Sequence, residues 1–172
     1  MKKIFFVAIA GVLCITACNN ATSDKSSGAR EKNMAASDGI SKAFETGDVS
    51  KIDSFVSADF VDHTGMGDRK GPDSLKAMVA MMHAHMTDMK QEKVHELADD
   101  DYVYSWMHYS ANSDGTMGMP KGPFTMSVIE VSKFKDGKAT EHWGFVDMKE
   151  MMKMMPPPNM SDMNKMDSSK MK

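Results

Sequence analysis

Residues 124–147 read FTMSVIEVSKFKDGKATEHWGFVD, and two strands joined by a tight turn are written in them. From Phe124 to Phe134 the side chains alternate, with Met126, Val128 and Phe134 set against Ser127, Ile129 and Val131. A period of two predicts an extended strand with distinct faces. Lys135-Asp136-Gly137-Lys138 is a hairpin turn, because Asp-Gly tolerates the left-handed backbone that a two-residue connection needs. Ala139 to Asp147 then returns along the first strand as the last one of the chain.

Upstream, Asn112-Ser113-Asp114-Gly115 is another turn signal, preceded by an aromatic-rich extended run from Tyr102 to Ser110. Lys90 to Ala98 alternates loosely around Val94 and Leu97. Before Lys90 the period changes. Leu75, Met78, Val79, Met82, Met86 and Met89 form a helical stripe, opened by Asp73 or Ser74. Gly65, Gly67 and Gly71-Pro72 make a loop behind a short extended piece, Phe60 to Thr64. Two shorter helices come first. Ser37 or Asp38 caps one running to Glu45, with Ile40, Ala43 and Phe44 on its apolar face and Gly47 at its end. Asp48 caps the other, which turns Ile52, Phe55 and Val56 inward. Three helices followed by about four strands in meander order predict an α+β fold, with the helices covering one side of an antiparallel sheet.

The ends read differently. Lys2 and Lys3 precede an almost unbroken apolar run, Ile4 to Ala17, which is short for a membrane span of about 20 residues and fits a signal peptide. The run ends in Ile15-Thr16-Ala17-Cys18, which resembles the bacterial lipobox, in which the cysteine is acylated and becomes the mature N-terminus. An ordinary secretory signal that ends in cysteine is the competing reading. On the lipobox reading residues 1–17 and Cys14 are discarded and Cys18 is lipidated. No free thiol is then left, and loss of Lys2 and Lys3 leaves 19 basic against 24 acidic residues, a net charge of −5. Asn19-Asn20 follows the cysteine with no acidic residue, and the resemblance to Gram-negative lipoproteins then implies lipid anchoring in the outer membrane of the cell envelope. Residues 18–35 hold no large apolar cluster and are expected to form a flexible tether. Pro156-Pro157-Pro158 stops any helix, and residues 153–172 are expected to form a disordered tail. The folded domain is then residues 36–152.

The whole chain has 172 residues, a net charge of −3, and 41% hydrophobic residues. That balance supplies a core and excludes the basic footprint of a nucleic-acid binder. No phosphate loop, dinucleotide fingerprint, nucleophile elbow or zinc motif is present, so no cofactor is expected.

Three blocks together resemble a known family: Asp59-Phe60-Val61-Asp62-His63 after two short helices, Gly71 before a long helix, and the run from Asp136 through Glu141-His142-Trp143 to Asp147. They are similar to the SnoaL-like polyketide cyclase branch of the nuclear-transport-factor-2-like superfamily over about residues 36–150. The resemblance implies a curled sheet wrapped around a helix to make a cone with an interior pocket, and frequent homodimers. It also implies cyclase or isomerase chemistry without a cofactor, in which a carboxylate removes a proton beside a carbonyl. The same fold hosts binding modules that catalyse nothing, so the fold alone does not name the reaction.

On that resemblance Asp147 is the candidate base, and His63 the group that polarises a carbonyl or shuttles a proton. Asp147 has a plain alternative as a capping residue, and His63 as a pocket-lining one. Trp106, His108, His142 and Trp143 are the candidate substrate-binding residues. Along the strands, Glu141, Trp143, Phe145 and Asp147 share one face and His142 the other, while Tyr104, Trp106 and His108 share a face. Which face meets a pocket is not written in the alternation.

Methionine is the compositional anomaly, 21 of 172 residues. Those between Met78 and Met89 fit a buried helical stripe. His83 and His85 are two apart and do not face each other on a helix. Those from Met148 to Met171 sit where no core is expected, so a Met-rich tail that binds Cu(I), scavenges oxidant or meets a partner is the alternative to a pocket function. No metal site is assigned to particular residues.

Overall fold

The computed structural model describes residues 21–65 and 67–154. Helix α1 (Ala21–Thr46) leads into a short helix α2 (Ile52–Phe55) and a hairpin of strands β1 (Val56–Thr64) and β2 (Gly67–Lys70). Helix α3 (Gly71–His85) follows. Four long strands come next: β3 (Met86–Ala98), β4 (Tyr102–Ser113), β5 (Gly122–Lys135) and β6 (Lys138–Val146), then helix α4 (Met148–Met154).

The six strands form one open sheet in the order β2-β1-β6-β5-β4-β3. The α+β class, the helices ahead of the long strands and the β3-to-β6 meander are as the sequence predicts. The sheet is mixed rather than purely antiparallel, because β1 joins β6 in parallel. No local pattern in β1 announces that pairing, since its partner lies about eighty residues away. Ladder irregularities interrupt β3 twice, the β1–β6 seam once and the β5–β6 pair once. Such bulges raise local twist and bend the strands, which curls the sheet around α1 and α3.

The β5–β6 turn forms as read. Asp136 (φ 54°) and Gly137 (φ 78°) both take the left-handed conformation, which matches the right-handed twist of the flanking strands. Gly47 (φ 78°) closes α1, its amide donating to the Ala43 carbonyl at 2.8 Å. The His83 imidazole caps the same end by donating from Nε2 to the Phe44 carbonyl at 2.9 Å.

Three boundaries differ from the sequence reading. The tether expected over residues 18–35 is helical from Ala21, and the folded part begins before residue 36. Asn33 is buried on α1 and donates to the Asp100 carbonyl at 2.9 Å, so the helix is docked ahead of its first apolar turn. The stripe from Leu75 to Met89 is split. α3 ends at His85, and Met86 and Met89 reach the same apolar region from β3. The glycine-rich loop holds β2, paired antiparallel with β1. The expected tail from residue 153 falls outside the described residues beyond Met154, and so do the signal segment and Cys18.

Buried side chains form two clusters. Ala36, Ala43, Ile52, Val56, Phe60, Leu75, Val103, Phe134 and Ala139 make the larger. Met86, Ala111 and Phe124 make the smaller, with Met82, Met89, Met119 and Met126 packed on it. A cavity lies between them and is lined by members of both. Among the described residues no helix is long and apolar enough to cross a membrane.

Candidate functional site

The cavity has a volume of about 350 Å³, within the usual range for a small-molecule site. Ile40 and Phe44 of α1, Leu75, Met78 and Met82 of α3, and the inner sheet face enclose it. The wall is mostly apolar, with a few polar groups placed in it.

His142 is one of them. A bulge at Thr140 puts Ala139 and His142 on the same inner face, although they are three residues apart. On the parallel neighbour β1, Asp62 stands in register with His142, and its Oδ1 lies 2.8 Å from His142 Nδ1. The Asp62 side chain is only 6% exposed, and that of His142 26%. Nδ1 donates to the carboxylate in either charge state, which fixes the ring and leaves Nε2 as its second proton-exchanging atom. Burial by itself depresses the His142 pKa. The Asp62 hydrogen bond and the nearby charges of Glu130 and Asp62 outweigh burial and raise it above its ordinary value.

Tyr109 of β4 and Glu130 of β5 form a second polar pair in the same wall. The Tyr109 hydroxyl donates to Glu130 Oε1 at 2.5 Å. Burial and the adjoining carboxylate hold the phenol protonated far above its usual range. The Gln91 side-chain oxygen, also in the lining, is buried and accepts no hydrogen bond among the described residues. A buried acceptor left so costs about 1–3 kcal/mol, which favours a molecule that brings a donor.

Of the six residues singled out in the sequence, His142 alone lines this cavity. Glu141, Trp143 and Phe145 do share the opposite face, and that face is the outer one. His63 lies there too. Its Nδ1 is 3.0 Å from Asp68 and its Nε2 3.3 Å from Glu141, while its ring stacks on Trp143 at 4.8 Å. Asp68, then Glu141, raise its pKa despite some desolvation. It is neither pocket-lining nor within reach of a pocket ligand, because alternation along β1 gives the inner positions to Phe60 and Asp62. Asp147 is exposed and caps α4, accepting from the Lys149 amide at 2.8 Å. The strand ends one residue before it, which takes its carboxylate away from the cavity wall. Trp106 is exposed on the outer face, its ring perpendicular to that of His108, which borders a groove that adjoins the cavity through Lys90, Gln91, Tyr109, Ser110 and Met126.

Asp62, Tyr109 and Glu130 were missed, and alternation held a signal for each. Asp62 follows Phe60 by two. Tyr109 keeps step with Val103, Met107 and Ala111. Glu130 is a lone charge in step with Met126, Val128 and Phe134.

The His142–Asp62 pair makes a signed prediction. The contribution of a group with a raised folded pKa is complete below its unfolded value, near 6.5, and is lost as pH rises through the folded value. In a proton NMR titration His142 should therefore show a midpoint above 6.5, and Asp62→Asn should lower it. Wild-type stability relative to that variant should fall as pH rises through the wild-type midpoint. A midpoint that Asp62→Asn leaves unmoved would rule out the assigned cause.

Comparison with known proteins agrees with this fold. Residues 35–154 match the family of SnoaL-like polyketide cyclases. Among solved structures, TsrD from Streptomyces laurentii superposes with a TM-score of 0.60 at 17% identity, covering 70% of this chain and 94% of that one. An M. tuberculosis LEH-like epoxide hydrolase gives 0.60 at 16% identity, covering 73% and 90%. Wild-type IdmH from Streptomyces antibioticus gives 0.59 at 20%, covering 71% and 96%. At these identities the likeness shows the fold. A search of curated proteins finds no match to the sequence. With the family match spanning well over half its length, this chain belongs to the SnoaL-like polyketide cyclase family.

Proposed function

We propose that the cavity binds a small, partly apolar carbonyl compound and exchanges a proton with it through His142. The observation that carries this reading is the imidazole in an apolar wall, held at Nδ1 by a buried carboxylate. An imidazolium at Nε2 can donate to a ligand carbonyl oxygen. Glu130, on the neighbouring strand of the same wall, can take the proton from the adjacent carbon. The carbon–hydrogen electron pair then becomes the enol double bond, and the oxygen carries the proton from His142. Asp62 positions the ring and stabilises its charge. Asp147 and His63 take no part in this scheme.

The test begins with the molecule that co-purifies from the host envelope, identified by native mass spectrometry. In D₂O the wild-type protein should catalyse deuterium uptake beside its carbonyl. His142→Gln and Glu130→Gln should each slow uptake by ~10²–10⁴-fold while the molecule still binds. Binding with no exchange in the wild type would leave a ligand-binding module, the second reading. Full exchange in both variants would remove these residues from the chemistry.

We also infer that the mature chain is lipid-anchored at Cys18, probed through the envelope rather than through the domain. Each acyl methylene buried in the bilayer contributes about 0.8 kcal/mol, so a multiply acylated cysteine holds firmly. Cys18→Ser should move the protein from the membrane fraction to the soluble one and abolish incorporation of an alkyne-labelled fatty acid. Labelling that survives the substitution would place the anchor elsewhere.

The outer sheet face supports a homodimer. Leu97, Tyr104, Val131 and Trp143 follow one another across β3 to β6, and Trp106, Ile129 and Phe145 make the adjacent row. Leu97 is 61% exposed, Phe145 58% and Trp106 44%. A contiguous apolar patch of this kind marks an association surface. Sedimentation of the wild type should give a dimer at micromolar concentration, and the double change Trp106→Lys, Phe145→Lys a monomer of unchanged fold. A monomeric wild type would refute the assignment.

A further inference from the structure

We propose that the end of the cavity remote from the larger core is a thioether site for a soft monovalent metal ion, Cu(I). Six methionines meet there: Met82 from α3, Met86 and Met89 from β3, Met117 and Met119 from the loop after β4, and Met126 from β5. They arrive from four separate segments, so the gathering is a product of the tertiary fold and not of one helical stripe. Five of the six pack on the cluster around Ala111 and Phe124 or belong to it. Met78 is set apart, because its sulfur already accepts from the Arg69 guanidinium.

Apolarity alone does not account for this composition. The other end of the same cavity is walled by Ile40, Phe44, Phe60 and Leu75. An ordered methionine loses more rotamer freedom than leucine does, and it specifies a packed wall less well. Six of the seven lining thioethers gather at one end, Met78 packing instead on the larger cluster, and leucines there would have lost less rotamer freedom. What methionine adds over leucine is a soft, polarisable sulfur donor, and soft thioether donors select Cu(I). Harder divalent ions have no comparable place. Among the described residues no group of three His, Cys, Asp or Glu side chains gathers that could hold one.

Charge is consistent with a single positive ion. Thioethers are neutral and compensate none of the charge. Glu130 puts a carboxylate into the cavity and Asp62 holds one behind His142, opposed by Lys90 and by His142 itself. A doubly charged ion in the same apolar surroundings would face the larger desolvation cost.

The experiment uses the full chain with Cys14→Ser and Cys18→Ser, so that no thiolate competes, titrated with Cu(I) under ascorbate against bicinchoninate. A second protein adds leucine at Met155, Met160, Met163, Met166 and Met171, and a third adds Met82→Leu, Met86→Leu and Met126→Leu instead. One Cu(I) per chain should bind to the first two proteins. The third should bind at least ~10–100-fold more weakly or not at all, since loss of even the groups that support metal ligands costs that much. Leucine keeps the apolar volume, so a purely structural role for the sulfurs would leave binding unchanged and overturn the proposal. Loss of binding in the second protein but not the third would assign the metal to the C-terminal methionines and overturn it too. Absence of binding in all three would do the same. X-ray absorption of the Cu(I)-loaded second protein reads the donors without altering the cavity. A sulfur shell supports the site, and a shell of nitrogen and oxygen alone defeats it. Deuterium uptake beside the ligand carbonyl is read separately, so failure here and failure of the proton-transfer reading are distinguishable.

Discussion

The parallel seam between β1 and β6 is the constraint on which the rest of the molecule depends. It fastens the segment containing α2, β1, β2 and α3 to the last strand of a meander that could otherwise form by itself. Asp62 and His142 stand opposite each other in that seam, and their hydrogen bond crosses it. A buried carboxylate facing a half-buried imidazole is stable only in one register, because a slip of β1 by one residue would send Asp62 to the outer face and part it from His142. The slip would also bring His63 inward and leave Phe60 exposed. The same pair that holds the seam is the pair that can exchange a proton. Its cost in desolvation is offset by mutual charge and by Glu130, which is why the imidazole titrates high despite its burial.

The strands, the Asp-Gly turn and the α+β class were legible because they are local. Alternation from Phe124 to Phe134 and the left-handed pair Asp136-Gly137 need no distant partner to be understood. Even the division of β6, with His142 on one face and Trp143 on the other, follows from alternation. The missing information was the sign: which of those faces looks inward. That is decided by α1 and α3 covering one side, and by the bulge at Thr140 that aligns His142 with Ala139. A motif read as a run of residues made Asp147 and His63 prominent, whereas the fold divides the run between two faces and a helix cap. The region ahead of Ser37 was misjudged for a related reason. Its composition is polar, but Asn33 is docked through a single amide onto the β3–β4 turn, and a hydrogen bond of that kind leaves no apolar signature.

The outer face carries its own polar device. Glu141 sits between Lys133 and His63, its carboxylate held low chiefly by the Lys133 hydrogen bond. His63 lies flat on Trp143 beside it. These contacts flank the two apolar rows that cross the sheet, so His63 covers one face of Trp143 while Trp106 and Phe145 stay exposed. Strand alternation thus divides one sheet into a cavity-lining face and an exposed outer face with two apolar rows. His63 and Trp143, read from sequence as site residues, belong to the second.

The cavity is divided in its turn. Its aliphatic end and its proton-handling wall are built from residues with few rotamers or with fixed hydrogen bonds: Phe60, Leu75, His142 on Asp62, and Tyr109 on Glu130. Its methionine end is built from side chains with many rotamers, two of them on a loop bracketed by Gly115 and Gly122, both at positive φ. Precision is therefore concentrated at the fixed hydrogen bonds of His142 on Asp62 and Tyr109 on Glu130. Adaptability is concentrated where the contacts are made by polarisable sulfur. A ligand that entered past the methionines would meet groups able to reshape around it before reaching groups that cannot. That order suits a site whose selectivity comes from the rigid wall, with the thioether end free to serve a second, softer chemistry.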